Sequence, residues 1–425
     1  MPVILYRIRT WVFVVGTFLL VGNVLPAYRL WFDFPTTNTE SHRFISRVWP
    51  AYRWWFNGQS KRFKASCIAA SSAEMWERLD ELTRQWLKMD RNNGDAWLLL
   101  AQAAQKLEDY ELAADSLARL SDSDPKCILA LVERVDLLLS IVNRPLEAVE
   151  TCKRILSINE SIPRAHEILI FFYSMSLQRQ ELRHYVRRSI ELKCEPPDAY
   201  VFLITANTIK FSDGLDYNSL WLEQYPHHEP FLVAAAKHMT DNPLHSDEHT
   251  ETTAADAEDM FRNELMDDYL KRFPENLEVL AYHFETRLFA GKADEVAKLL
   301  SKLPSTAEGD SRFWYYKGWY YYGRNQLTEA ATALRKSLSL DPFDWRTRHQ
   351  LAQVVRRLEG PKAAKTMVEL AEQGKNLSIA SAKLPNARVA GKQLLRRIAN
   401  YVERCGDAQM ARAIQNRLGS IPAVP

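Results

Sequence analysis

The sequence predicts an all-α fold built from repeated helical pairs. Glycine accounts for only 14 of 425 residues, below its usual share of about 7%, and the helix formers Ala, Leu, Glu, Arg and Lys are abundant. From about Ser66 onward the chain is also similar to itself at a period near 34 residues. Hydrophobic residues make up 47% and charged residues 25%, which excludes wholesale disorder and a multi-pass membrane protein.

The clearest repeat covers Ser311 to Asp344. It reads Trp314-x2-Lys317-Gly318-x2-Tyr321, then Ala330-x3-Leu334, then Asp341-Pro342. Large residues at i, i+3 and i+7 form one apolar stripe on a first helix, and the small Ala330 lets a second helix approach closely. The Asp-Pro pair ends the hairpin because proline cannot continue a helix. Such a hairpin leaves apolar surface uncovered and needs neighbouring hairpins to fold.

A second unit follows the same pattern. It reads Trp97-x2-Leu100-Ala101-x2-Ala104, then Ala113-x3-Leu117, then Asp124-Pro125. Both units resemble the tetratricopeptide repeat family, although Lys317 and Leu334 stand where that family usually has Leu and Phe. The resemblance implies a right-handed α-α superhelix, which is a solenoid of helical hairpins.

The position of the small crossing residue predicts how many hairpins follow. Its equivalents lie 34 or 35 residues apart except for one interval of 46, and they are Ala113, Ala148, Leu182, Asp216, Arg262, Val296, Ala330 and Ala364. The long interval contains residues 241–256, which are polar and lack apolar periodicity, as expected of a loop inserted in one hairpin. The sequence therefore predicts a repeat array over residues 66–374, consisting of a half-unit and eight hairpins.

The chain after the array is predicted to end in a cap. Residues 375–392 read as an irregular connection, and residues 393–419 read as a final pair of helices around Cys405 and Gly406. This pair is rich in Arg, as expected where a solenoid covers its last apolar face and meets solvent.

The amino-terminal segment, residues 1–27, predicts a membrane anchor. Trp11 to Ala27 contains no charged residue and follows Arg7 and Arg9, which is typical of a single transmembrane helix at the short end of the usual length. A cleaved signal peptide and a buried soluble helix are the alternatives. The first is disfavoured because the small-x-small pattern before a cleavage site is poor at Ala27.

Residues 28–65 form an aromatic and basic segment beside this anchor. Pro26 to Phe32 is repeated with little change at Pro50 to Phe56. Aromatic rings interleaved with cations suit the lipid headgroup layer, so membrane lipid is an expected partner. The predicted interface residues are Trp31, Phe32, Trp49, Tyr52, Arg53, Trp54 and Trp55. The alternative is that these rings cap the first helices of the array.

Charge is concentrated at the amino terminus. Residues 1–64 hold nine Lys or Arg and two Asp or Glu, although the whole chain has a net charge of only +2. Since the main body is not basic, we expect no nucleic-acid partner. Arg7 and Arg9 favour a cytoplasmic amino terminus, although the arginines after the span nearly balance their effect. We therefore expect a single-pass protein with its soluble body on the non-cytoplasmic side.

No catalytic motif has the surroundings that it needs. His245-Ser-Asp-Glu248-His249 matches the H-x-x-E-H pattern of one class of zinc proteases, but it lies in the polar insertion with no apolar face to bury. Glycine-rich phosphate loops and the G-x-S-x-G nucleophile motif are missing from the sequence. The five cysteines form no CxxC pair. We therefore expect no enzyme activity, cofactor, metal site or small-molecule substrate.

The resemblance to tetratricopeptide repeats implies a concave groove lined by first-helix residues. Carried onto the last two repeats, the family's offsets select Arg312, Tyr315, Trp319, Tyr322, Arg346, His349, Gln353, Arg356 and Arg357. An acidic or aromatic-bearing peptide would suit such a surface, since arginine pairs with carboxylates and Trp and Tyr are rigid apolar anchors. The family's clamp for a terminal carboxylate is not reproduced. The alternative is that these rings pack between helices.

The sequence thus predicts a membrane-anchored, non-catalytic scaffold that binds a protein or peptide partner in its groove. Two alternatives remain open. The chain could be a structural subunit of a larger membrane assembly, or a metal-dependent hydrolase that uses the His-rich insertion.

Overall fold

The computed structural model describes residues 58–208, 213–239, 263–384 and 387–420, and these residues are helical with short connections and no strands. They fall in two units, residues 1–74 and 75–425. The first unit contributes α1 (58–72). The second begins with α2 (Trp76–Met89), α3 (Gly94–Lys106), α4 (Tyr110–Leu117), α5 (Cys127–Ser140), α6 (Pro145–Ile158), α7 (Pro163–Met175) and α8 (Arg179–Glu191).

The second half of this unit follows the same alternation of helices. It contains α9 (Ala199–Thr205), α10 (Gly214–Gln224), α11 (Glu229–Met239), α12 (263–272), α13 (Leu277–Phe289), α14 (Ala293–Leu300), α15 (Ser311–Gly323), α16 (Leu327–Leu340), α17 (Trp345–Leu358), α18 (Pro361–Ala382), α19 (Lys392–Arg404) and α20 (Ala408–Ser420). Consecutive helices pack as antiparallel pairs, and each pair packs on the next over most of the chain. The described residues of the second unit therefore form an all-α solenoid.

Polar caps set where the first helices of several hairpins begin. The side chains of Asn93, Asn276, Asp310 and Asp344 each accept a hydrogen bond from a backbone N–H in the first turn of the helix that follows. These bonds satisfy donors that have no partner inside a helix. The repeat period is therefore marked by caps as well as by apolar residues.

The close contact between α15 and α16 explains the glycine of the clearest repeat. A Cβ atom added to Gly318 would lie 2.6 Å from Cγ and Cδ2 of Leu334, so no larger residue fits without a shift of that leucine. Ala330 is fully buried at the same contact. Trp314 and Tyr321, predicted to form the apolar stripe, are half-buried. The close contact is therefore built as predicted, whereas the buried rings of α15 are Phe313 and Tyr316.

The predicted crossing residues are buried in six of the eight hairpins. Ala113, Ala148, Leu182, Val296, Ala330 and Ala364 are at most 2% exposed. Arg262 lies outside the described residues. The prediction for Asp216 was wrong, because Asp216 is exposed in the first turn of α10. Gly214 makes the close contact there instead, because an added Cβ would lie 2.5 Å from the ring of His238 on α11.

The fourth unit is not a hairpin, which is the main departure from a regular array. Helix α9 packs on α8, α18 and α19, whereas α10 packs on α7 and α11. All of residues 199–203 in α9 are buried, and a short helix that is apolar all round needs cover on every side. The carboxy-terminal helices provide that cover, so the second unit closes back on its own middle.

The carboxy-terminal cap is a helix pair, α19 and α20, as expected. Residues 375–382 were predicted to be irregular but are helical, since α18 continues to Ala382. Beyond packing on each other, α19 contacts α18 and α9, and α20 contacts α8. The cap therefore covers the middle of the array as well as its last hairpin.

Three predicted features lie wholly or largely outside the described residues. They are the anchor at residues 1–27, the segment at residues 28–65 with its seven interface residues, and the insertion at residues 241–256. Within the described ranges, no helix is both long enough and apolar enough to span a membrane. The anchor and the insertion therefore stay predictions.

Candidate partner-binding face

Eight of the nine predicted groove residues share one surface on α15 and α17, two first helices that contact each other. The spacing of i, i+4 and i+7 puts Tyr315, Trp319 and Tyr322 on one side of α15. Spacings of three and four residues do the same on α17 for Arg346, His349, Gln353, Arg356 and Arg357. The guanidinium of Arg357 lies 4.5 Å from the ring centre of Tyr322, which joins the two sets. We call these eight residues the aromatic-basic face.

The aromatic part of this face combines a packed ring with an exposed one. Tyr315 is half-buried and contacts the apolar clusters on both sides of α15, and burial raises the pKa of its phenol to about 12. The indole N–H of Trp319 donates to the Tyr315 hydroxyl at 2.8 Å. Trp319 itself is 37% exposed. Tyr315 thus serves the core and fixes the orientation of a tryptophan available to a partner.

The basic part of the face carries positive charge without an internal counterion. Arg346, Arg356 and Arg357 are exposed, and none of them forms an ion pair with a carboxylate in the described part of the chain. Arg346 lies over the ring of Trp345 at 5.8 Å, and Arg357 lies over Tyr322. Since aromatic faces leave the guanidinium N–H groups free, these arginines can still bind carboxylates bidentately.

Arg312 does not belong to this surface, which corrects the prediction from the sequence. Its side chain is buried and pairs with Asp310, Nη2 to Oδ2 at 2.7 Å, and with Glu278 on α13. Glu278 also accepts from Arg179 on α8 at 3.0 Å and from Lys237 on α11 at 2.8 Å. The offset that places its neighbours on the aromatic-basic face places Arg312 at the buried start of α15, where Arg183 of α8 also donates to the Ser311 hydroxyl at 3.1 Å.

The charges of this cluster change its pKa values strongly. Burial acts to raise the pKa of Glu278, but the cations Arg179, Arg312 and Lys237 outweigh it and hold the pKa well below its ordinary value. The same balance lowers the pKa of Asp310 beside Arg312. A buried carboxylate that contacts three cations stays ionised, so the cluster is a fixed structural connection between α8, α11, α13 and α15.

Helix α8 carries a row of arginines that contacts three later parts of the chain. Arg179, Arg183 and Arg187 are one turn apart, so they lie on one face of α8. Arg179 pairs with Glu278 at the start of α13, Arg183 with Asp341 before α17 at 3.3 Å, and Arg187 with Asp407 before α20 at 2.6 Å. We call these three residues the arginine row. It connects the closed middle of the array to the repeats that carry the aromatic-basic face.

Asp341 is a buried partner of this row. It is 8% exposed and accepts hydrogen bonds from Arg183 and from the side-chain amide of Asn207 at 2.9 Å. Burial raises its pKa to about 6, against the opposing charge of Arg183. Asp341 belongs to the Asp-Pro pair that ends the clearest repeat, so the same residue ends one hairpin and anchors α8 to it.

Phe289 is a candidate that the sequence prediction missed. It is the last residue of α13 and is 89% exposed, more than any other large hydrophobic residue among those described. Phe289 has the same position in its own hairpin as Arg357 has in the last hairpin. Its helix, α13, also contacts α15. Extending the offsets by one repeat would have found it.

Metal ligands do not cluster in the described ranges. These ranges contain no group of three His, Cys, Asp or Glu side chains that could hold a metal ion. His245 and His249 lie outside those ranges.

Comparison with protein families supports the repeats directly. Residues 77–161 and 311–344 each match a model described as tetratricopeptide repeat, and the chain contains such repeats in these two segments. No curated protein sequence matches this chain.

Two solved structures illustrate the structural likeness. The APC/C hetero-tetramer Cut9-Hcn1 is similar over 86% of this chain and 73% of its own, with 12% identity and a TM-score of 0.31. Naa15/Naa10 bound to HypK-THB is similar over 86% of this chain and 63% of its own, with 15% identity and a TM-score of 0.28. At these scores neither similarity bears on function.

Proposed function

We propose that the protein is a non-catalytic scaffold that binds an acidic segment of a partner protein on its aromatic-basic face. The observation that carries this proposal is the pairing of an exposed, oriented Trp319 with three uncompensated arginines on the next first helix. Buried aromatic anchors and arginines dominate the binding energy of protein interfaces. Carboxylates of the partner would pair with Arg346, Arg356 and Arg357, while an apolar side chain would contact Trp319 and Phe289.

We further propose that residues 11–27 anchor this scaffold to a membrane as a single span, with the repeat unit on the non-cytoplasmic side. The support is the uncharged sequence and its flanking aromatic and basic residues. Extraction of cell membranes at alkaline pH tests this part, because an anchored chain stays in the pellet. Release into the supernatant would contradict it.

The binding proposal is tested with the variant Trp319→Ala/Arg356→Ala. Proteins that co-purify with the wild type from solubilised membranes are identified by mass spectrometry, and the affinity for each is then measured with both chains. We expect affinity for the specific partner to fall at least about tenfold, since two central contacts are removed. Far-ultraviolet circular dichroism of the variant should equal that of the wild type.

The matched control is Leu129→Ala/Arg335→Ala, which removes an exposed leucine and an exposed arginine elsewhere. It should leave affinity unchanged. Equal affinity of the Trp319→Ala/Arg356→Ala variant and the wild type would exclude the aromatic-basic face as the binding surface.

A further inference from the structure

The end of α18 and the start of α19 carry a second basic surface that no part of the proposed function uses. Residues 375–420 contain nine Lys or Arg and only two Asp or Glu. Three of these cations form ion pairs with carboxylates of the same chain. Arg388 pairs with Glu167, Arg404 with Glu369 and Arg417 with Glu195. The others include Lys375, Lys383, Lys392, Arg396 and Arg397, which we call the cationic cap.

The geometry brings Lys383, Lys392, Arg396 and Arg397 to one end of the helix pair, whereas Lys375 lies two turns earlier on α18. Arg404, the last residue of α19, donates to Gln373 near the middle of α18 at 2.7 Å, so the two helices are antiparallel. Lys383 and Lys392 therefore flank the connection at the opposite end. Arg396 and Arg397 follow one turn later and are exposed. No member of the cationic cap forms an ion pair with a carboxylate in the described residues.

Exposed aliphatic side chains lie among these cations. Lys375, Ile379 and Lys383 follow one another at four-residue spacing on one side of α18, and Ile379 is 45% exposed. Val389, in the connection to α19, is 52% exposed. Cations with a few exposed aliphatic groups suit the headgroup layer of a bilayer, which accepts both.

We propose that the cationic cap binds the anionic headgroups of a lipid bilayer. Charge distribution supports this partner, because residues 65–374 hold 37 Lys or Arg and 49 Asp or Glu, so an anionic surface repels the body and attracts the cap. Residues 1–64, which contain the predicted anchor, have the same charge balance as residues 375–420, with nine Lys or Arg and two Asp or Glu. Single-stranded nucleic acid fits less well, since the one aromatic residue described in 375–420 is Tyr401, which is buried.

The test uses the full-length protein with two kinds of vesicle, phosphatidylcholine alone and phosphatidylcholine with phosphatidylserine. Exposed lysines are modified with an amine-reactive reagent and quantified by mass spectrometry. We expect Lys383 and Lys392 to react several-fold less on the vesicles with phosphatidylserine, and a salt concentration of about 1 M to abolish this protection. Lys302, in the turn after α14, and Lys336, on α16, are also exposed and should react equally on both.

This readout separates the cap from the anchor. If residues 11–27 insert, the chain sediments with both kinds of vesicle, and only the lysine protection depends on phosphatidylserine. If they do not insert, the chain sediments with phosphatidylserine vesicles alone. Equal reactivity of Lys383 and Lys392 on the two lipids overturns the cap proposal in either case. Protection by an acidic polypeptide or an oligonucleotide, but not by phosphatidylserine, also overturns it and assigns the surface to that ligand.

A variant locates the effect on the cap. Lys375→Gln/Lys383→Gln/Arg396→Gln/Arg397→Gln should weaken the phosphatidylserine-dependent binding at least about tenfold, because each cation near the surface contributes substantially. The control Lys298→Gln/Lys302→Gln/Arg335→Gln/Lys336→Gln removes the same charge from other exposed positions. An equal loss of binding in both variants would show that binding depends only on the net charge of the protein. That result would contradict a specific cap surface.

Discussion

Helices α8 and α17 are both rich in arginine, but these arginines have different surroundings. Both helices contain Arg-His followed by Val-Arg-Arg, at 183–188 in α8 and at 348–357 in α17, where the two motifs lie four residues further apart. On α8, Arg183 and Arg187 pair with Asp341 and Asp407, which are 158 and 220 residues further along the chain. On α17, Arg356 and Arg357 are exposed and have no carboxylate partner among the described residues.

An arginine-rich helix face therefore has no function that its own sequence fixes. On α8 the array closes back and supplies carboxylates from later repeats, so the charges are used for folding. On α17 the same residue types remain available to another molecule. Experiments that compare the two helices can therefore show whether closure and binding are separate properties.

The largest effect is expected at Glu278. Glu278→Gln leaves Arg179, Arg312 and Lys237 buried around an uncharged amide, and breaking a buried ion pair in this way costs about 3–5 kcal/mol. Unfolding in urea, followed by circular dichroism, measures the loss. Glu275→Gln is the control, because Glu275 is exposed one turn away. A loss below about 0.5 kcal/mol at Glu278 would contradict a structural role for the cluster.

A smaller effect is expected when the two helices are compared directly. Arg183→Gln removes the cation beside the buried Asp341 and should lower the free energy of unfolding by about 2 kcal/mol. Arg356→Gln on α17 should change it by less than about 0.5 kcal/mol, since that side chain is exposed. Equal losses in the two variants, measured by chemical unfolding, would remove the distinction between the arginine row and the aromatic-basic face.

The third effect is a pH dependence that belongs to Asp341. Its pKa of about 6 in the fold exceeds the ordinary value of 3.8, so the folded state binds the proton more tightly, and the stability from this group increases as pH falls from about 6 towards 3.8. Relative to Asp341→Asn, the wild type should gain about 1 kcal/mol between about pH 6.5 and pH 5. Because both proteins contain Glu278 and Asp310, the comparison cancels their opposite contributions to the pH dependence of stability. A pH-independent difference would show that Asp341 titrates normally.

The smallest effect is expected on the binding side. Arg357→Gln removes the exposed contact with the ring of Tyr322, which is worth about 0.5–1 kcal/mol at most. Its thermal unfolding should therefore nearly match that of the wild type, while partner affinity falls. A large loss of stability would mean that this arginine serves the fold, as those of α8 do.

Local spacing predicted much of the fold correctly. The distance between Gly318 and Ala330, and the repetition of that register along the chain, depend on helix geometry that any hairpin must satisfy. The prediction for Asp216 failed because its unit is not a hairpin. That unit departs from the pattern because α9 packs on α18 and α19. No local pattern contains that information, since the covering helices lie about 160 to 200 residues further along the chain.

The candidate site was predicted in part for the same reason. Fixed offsets on α15 and α17 selected eight residues that the structure places on one surface. Arg312 fulfilled the same rule but is buried at the start of α15, where it pairs with Glu278 of α13. Phe289 was missed because the offsets were carried over only two repeats.

The sequence alone determined that this chain is a series of helical pairs, because period, caps and close contacts between paired helices are local properties of about 34 residues. Only the tertiary structure decided which charges remain available to other molecules. The closure of the array brings α8 beside Glu278, Asp341 and Asp407 and leaves Arg346, Arg356 and Arg357 of α17 exposed. Ion pairing depends on distance in space, and residues far apart in sequence acquire that distance only when the whole array has folded.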